Sequence, residues 1–129
     1  MGCKYTMQEL EEKLEKHKHW LNRDCEGWED MRLDLQQEDL SGINLENANL
    51  TKANLNGVNL SYANLQGAIL DGSNIIGTFI RTDFSYAHLS HANLWGDFKD
   101  ANLKFADLFE TRIRGTNFQS ANVRKVKKI

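Results

Sequence analysis

The stretch ENANLTKANLNGVNLSYANL, residues 46–65, places Leu at 50, 55, 60 and 65, each preceded by Asn and, two places earlier, by a small residue. A spacing of five excludes the two commonest elements. An α-helix turns by about 100° per residue, so successive Leu side chains would smear around its surface instead of forming a stripe. In a straight strand, positions five apart fall on opposite faces, and every second Leu would point into water. What remains is a chain that bends once per repeat, bringing each Leu to the same interior from a new side.

The beat extends well beyond these four repeats. Apolar centres fall at Leu35, Leu40, Leu45, Leu50, Leu55, Leu60, Leu65, Leu70, Ile75 and Ile80, resume one residue early at Phe84, Leu89 and Leu94, and slip again to Phe98, Leu103, Leu108, Ile113, Phe118 and Val123. The two four-residue steps predict tightened corners at Arg81–Thr82 and Trp95–Gly96. Two places before the centre the residue is usually small, as at Ala48, Ala63, Ala92, Thr111 and Ala121, which suits a crowded second interior layer. Asn or Asp precedes most centres, and the two following positions are mainly polar or Gly and are expected to face water. Gly42, Gly57, Gly67, Gly72, Gly77, Gly115 and Asn47 all lie two places after a centre. Residues of this kind tolerate the positive φ of a type II turn.

ANL or a close variant every fifth residue resembles the A(D/N)LXX pattern of the pentapeptide-repeat family, over residues 33–124. The resemblance implies an all-β solenoid: a right-handed quadrilateral β-helix with four repeats per coil and about five coils in all. Coils stacked at ~4.8 Å make a rod roughly 20–25 Å long. Centres one coil apart should form columns, such as Leu40, Leu60, Ile80, Phe98 and Phe118.

Residues 1–32 lack the repeat. TMQELEEKLEKHKHWLN carries Met7, Leu10, Leu14, His17 and Leu21 at helical spacing, with Thr6 and Glu9 as a capping box. An amphipathic helix is expected to cap the first coil, with Leu14, Leu21 and Trp28 covering Leu35 and Leu40. The chain thus divides into a capping helix and linker (1–32), the β-helix (33–124) and a basic tail (125–129). The opposite end has no second helix, leaving Phe118 and Val123 as candidates for an end-to-end homodimer, a feature of several family members.

The other signals are weak. The 18 acidic and 16 basic residues give a net charge of −2, which marks neither a nucleic-acid surface nor an acid-rich one. Cys3 and Cys25 lie outside the repeats and fit reduced thiols; with no export signal and no membrane span, the expected location is the cytoplasm of a bacterium. MGCKYT matches a myristoylation pattern, but Thr6 serves as a helix cap and the chain looks bacterial. His17 and His19 point to different helix faces, and His88 and His91 occupy outer positions. All four are read as solvated, and no metal, cofactor or catalytic residues are assigned.

Large apolar residues at positions meant for water are more informative. On the four-sided coil that the resemblance implies, Ile76 and Trp95 are expected to stack on one face with Phe79 next to the corner, and Tyr86 to sit above Phe105 elsewhere. They form either a partner-binding surface or a patch that shields itself. The expected function is a non-enzymatic scaffold or protein-protein interaction module. The alternative implied by the resemblance is a DNA mimic that binds DNA gyrase, as quinolone-resistance members are thought to do. With ten acidic and six basic residues in 33–123, a net charge of −4 on a short rod suits that role poorly.

Overall fold

A computed structural model describes residues 7–127. Its organising contact is a hydrogen bond from the N–H of each apolar centre that has a coil after it to the carbonyl just before the corresponding centre one coil on. Leu45 donates to Asn64 O, Leu65 to Asp83 O, Phe84 to Asn102 O and Leu103 to Asn122 O, each at 2.7 Å. The return bond runs from the residue before a centre to the carbonyl two before the centre behind it, as from Asn64 N–H to Ile43 O at 2.9 Å. Because stacked centres lie 19 or 20 residues apart, they fall into four columns, and Leu, Ile and Phe fill the middle.

Most of this ladder consists of single parallel bridges. On one face the chain runs straight for longer. There β1 (Val58–Asn59), β2 (Asn74–Thr78) and β3 (Asn93–Asp97) pair in parallel in that order, with Ile76 opposite Trp95 and Gly77 opposite Gly96.

Local chemistry explains each position of the repeat. After a centre, the chain makes a β-turn closed by a bond such as Ala68 N–H to Leu65 O, and the third turn residue takes positive φ. The preceding Asn or Asp does more than face water. Its Oδ1 accepts the N–H two residues on, as Asn64 does from Gln66 (2.9 Å) and Asp83 from Ser85 (2.9 Å), capping a donor that the ladder leaves over. In the small-residue layer, Thr82, Ser73 and Thr111 donate their hydroxyls to the carbonyls of Leu60, Leu50 and Leu89 in the coil behind. The hydroxyls are therefore buried without being left unpaired.

The phase of the first short step differs from the sequence expectation. Phe79, not Ile80, is the centre: Phe79 is fully buried and Ile80 only half-buried. The column is Leu40, Leu60, Phe79, Phe98 and Phe118, with the Phe79 ring stacked on Phe98 at 4.6 Å and Phe98 tilted against Phe118 at 5.6 Å. Both short corners thus lie on the face of the β1–β2–β3 sheet, at Ile76–Gly77 and Trp95–Gly96, while Arg81 occupies an ordinary turn with φ 55°. The straight path demands glycine. A Cβ on Gly77 would collide with the carbonyl oxygen of Val58, and one on Gly96 with that of Gly77.

Helix α1 (Met7–Asn22) lies against the first coil, and a 3₁₀ turn (Trp28–Asp30) follows it. Leu10, Leu14 and His17 make the covering contacts. Leu21 and Trp28, expected in that role, are half-buried outside the core cluster, and Trp28 instead carries the Arg23 guanidinium over its ring at 5.3 Å. At the far end the ladder continues past 124. Lys127 N–H donates to Ala106 O, and Val126 packs on the core. The Thr6 cap and the MGCKYT pattern lie outside the described residues.

Phe79→Ala should therefore lower unfolding free energy by about 3–5 kcal/mol, and Ile80→Ala by only about 1 kcal/mol. Urea unfolding measures both, and equal costs would contradict the observed phase.

Candidate interaction surface

The sheet face holds an exposed tryptophan with no aromatic partner among the described residues; of the large apolar side chains only Tyr62, at 63%, is more exposed. Trp95 is 59% exposed and lies beside Ile76, which is half-buried. Its indole folds back on Gly115, where a Cβ would stand 3.0 Å from Trp95 Nε1. Together with Asn93, Leu94, Arg112 and Arg114 they line an open cleft of about 480 Å³. Among the described residues, neither arginine has a carboxylate within ion-pair distance. The cleft thus offers an apolar floor with two unneutralised guanidinium groups at its rim.

The remaining candidates are placed differently. Phe79 was expected on this face, but it points inward because it is the centre of its repeat. Tyr86 and Phe105 occupy turn positions at φ 62° and 63°, a conformation that costs bulky side chains about 1–2 kcal/mol. Their rings stack at 5.0 Å and 12°, with Lys104 Nζ 5.3 Å above Phe105. Neighbouring corners follow the same coil-on-coil pairing, Arg81 with Asp100 and His91 with both Phe109 and Glu110. Tyr86 and Phe105 cover one another, whereas Trp95 is left open. At the C-terminal end Phe118 is half-buried against Phe98, Val123 is exposed, and their N–H groups face no further coil among the described residues.

The pentapeptide-repeat family profile matches residues 39–75 and 97–127 in eight copies, more than half of the chain. The chain belongs to the pentapeptide-repeat family. Its fold is accordingly a right-handed β-helix. The unmatched interval, 76–96, runs from the first short corner to the second, where the five-residue beat is broken.

Among solved structures, this pentapeptide-repeat chain is similar to HetL, involved in heterocyst differentiation regulation in the cyanobacterium Nostoc sp. strain PCC 7120. Identity is 27% over 73% of this chain and 56% of HetL, with a TM-score of 0.51. Rfr23 from the cyanobacterium Cyanothece 51142 is 22% identical over 73% of this chain and 86% of its own, with a TM-score of 0.41. A further pentapeptide repeat protein from Nostoc, alr5209, is 28% identical over 88% and 84%, with a TM-score of 0.33. No curated protein sequence matches the chain. Among the described residues, no helix is long and apolar enough to cross a membrane.

His17 is the residue whose role the sequence reading missed. Far from solvated, it is fully buried: Leu33 N–H donates to its Nδ1 at 2.9 Å, and its Nε2–H donates to Thr51 O at 2.7 Å. The two bonds require the neutral ring with its proton on Nε2. Trp20 stacks on the ring at 5.4 Å, and Arg32 reaches over Trp20 while its Nε donates to Lys52 O. One imidazole therefore satisfies a donor and an acceptor of the first coil and pins α1 to it. Its place in the apolar heptad-like run of α1 was the available signal.

Burial lowers the His17 pKa below the usual 6.5; the Thr51 bond opposes this, and the charge of Arg32 adds to it. Protonation would also set an Nδ1–H against the Leu33 N–H. The unfolded chain consequently binds a proton that the folded chain refuses. Stability from this group is present above pH 6.5 and falls as the pH drops toward the folded pKa, by up to roughly 1.4 kcal/mol per unit. Urea unfolding at pH 7.5 and pH 5 should show a smaller loss in His17→Gln than in the unmodified protein. Identical losses would refute the role assigned to this ring.

Proposed function

We propose that this chain is a non-catalytic interaction module: a quadrilateral β-helix of about five coils, with α1 closing one end, that presents the Ile76–Trp95 face to a protein partner in the cytoplasm. The observation that carries the reading is the exposed Trp95 on a flat, glycine-backed sheet, its outer side uncovered among the described residues. Tryptophan and arginine together are the commonest anchors of protein interfaces, and Arg112 and Arg114 flank the indole. The outward pairs Tyr86 and Phe105 are secondary, because each spends its ring face on the other. The open C-terminal edge, with Phe118 and Val123, supplies a second contact of the same kind, toward another copy of the chain.

Gyrase binding by DNA mimicry gains no support from the charge layout. Asp100 stacks against Arg81, and the Trp95 face carries Arg112 and Arg114, so neither surface is uniformly acidic. Duplex imitation requires a continuous run of negative charge.

The test compares three proteins of equal circular dichroism in affinity capture from source-cell extract: unmodified, Ile76→Ser with Trp95→Ser, and Tyr86→Ser. The first and third should retain one common partner and the double variant should lose it. Retention by all three would remove the face from consideration.

A further inference from the structure

We propose that His19, Asp24 and Cys25 form a binding site for a thiophilic divalent cation, zinc in the cell, where α1 hands over to the first coil. His19 stands in the last turn of α1, and its Nδ1 is 2.6 Å from Asp24 Oδ1. Cys25 Sγ completes a triangle in which all three ligand atoms lie within 4.8 Å of one another. The chain turns back over the helix end at Arg23, φ 52°, whose N–H still donates to His19 O, which brings 24 and 25 to the same side as His19.

The donor set selects the ion. Imidazole nitrogen, carboxylate oxygen and thiolate sulfur are the three ligand types zinc takes, at about 2.0–2.3 Å, which sets tetrahedral ligand atoms roughly 3.3–3.7 Å apart. The nitrogen and oxygen must separate and the sulfur approach by about 1 Å each to meet that spacing. The side chains can make the change, since those of His19 and Asp24 are 38% and 46% exposed. On binding, the thiol proton passes to solvent and the imidazole presents a bare Nδ1 to the metal. Water fills the fourth position.

A hydrogen-bonded His–Asp pair accounts for two of the three groups but not for the sulfur. Cys25 is a free thiol whose side-chain contact is a weak one, 3.9 Å to Met31 Sδ, which adds a further soft atom beside the site with no competing hard partner for the thiolate among the described residues. His19, on the helix, and Cys25, beyond its end, would be tied through one ion. The ion would thereby hold the loop on the same end of α1 that His17 pins to the coil.

Cobalt(II) is the probe, titrated into the full chain under reducing conditions. One cobalt per chain should bind with a thiolate-to-cobalt charge-transfer band in the near ultraviolet, and zinc should displace it. The band should persist in Cys3→Ser and vanish in Cys25→Ser, while His19→Ala and Asp24→Asn each weaken cobalt binding by about tenfold or more. Both last substitutions fall at exposed side chains, so they carry the test even if Cys25→Ser folds poorly. Absence of the band in the unmodified chain overturns the proposal. So does a band that survives Cys25→Ser, or equal affinity in His19→Ala and Asp24→Asn.

Discussion

The inter-coil hydrogen bond from each centre's N–H is the constraint from which the rest of the molecule follows. It couples a residue to another 18 or 19 positions away and so sets centre over centre at a spacing of 19 or 20, and the side chains of a column share one environment and must share one chemistry. An interior of stacked Leu and Phe then requires small neighbours, because two layers of side chains compete for the same narrow core. Where the small neighbour is Ser or Thr, the hydroxyl meets a carbonyl of the coil behind. Outside the core, the tight corner leaves an amide without a ladder partner, and Asn or Asp answers it. The A(D/N)L phrase is thus a set of three solutions to one geometrical problem.

Much of this could be read before the structure. The five-residue beat excludes helix and plain strand, and the columns it implies are those observed, except for one. The beat alone allows Ile80 as well as Phe79 to be a centre, because the two are adjacent and apolar and either choice requires one short step before Phe84. An internal comparison resolves the ambiguity: NIIGTF at 74–79 and NLWGDF at 93–98 share one pattern 19 residues apart, with Gly two places before Phe in both. Glycine at the small position, where a Cβ would strike a backbone carbonyl, was the decisive signal.

The surface was less legible than the core. Ile76 and Trp95 could be paired by counting, since both follow a centre directly. That Tyr86 and Phe105 shield one another while Trp95 lies open depends on ring orientations, which no periodicity encodes. The buried state of His17 and the approach of Cys25 to His19 both depend on how α1 and its following loop meet the first coil. Those segments obey a helical period and an irregular turn, and the repeat grammar says nothing about their junction.

The sheet face has one more consequence, for how such a chain can change length. Every column acts as a reading frame: adding one residue within an ordinary repeat shifts all later side chains out of phase with the coil below. At Ile75–Phe79 and Leu94–Phe98 the frame is already one residue short, and the coil still closes. A single insertion there restores the regular step and keeps everything downstream aligned. The face that displays Trp95 is therefore also the place where the fold tolerates a change of count, so its outer profile can vary while the columns within stay the same.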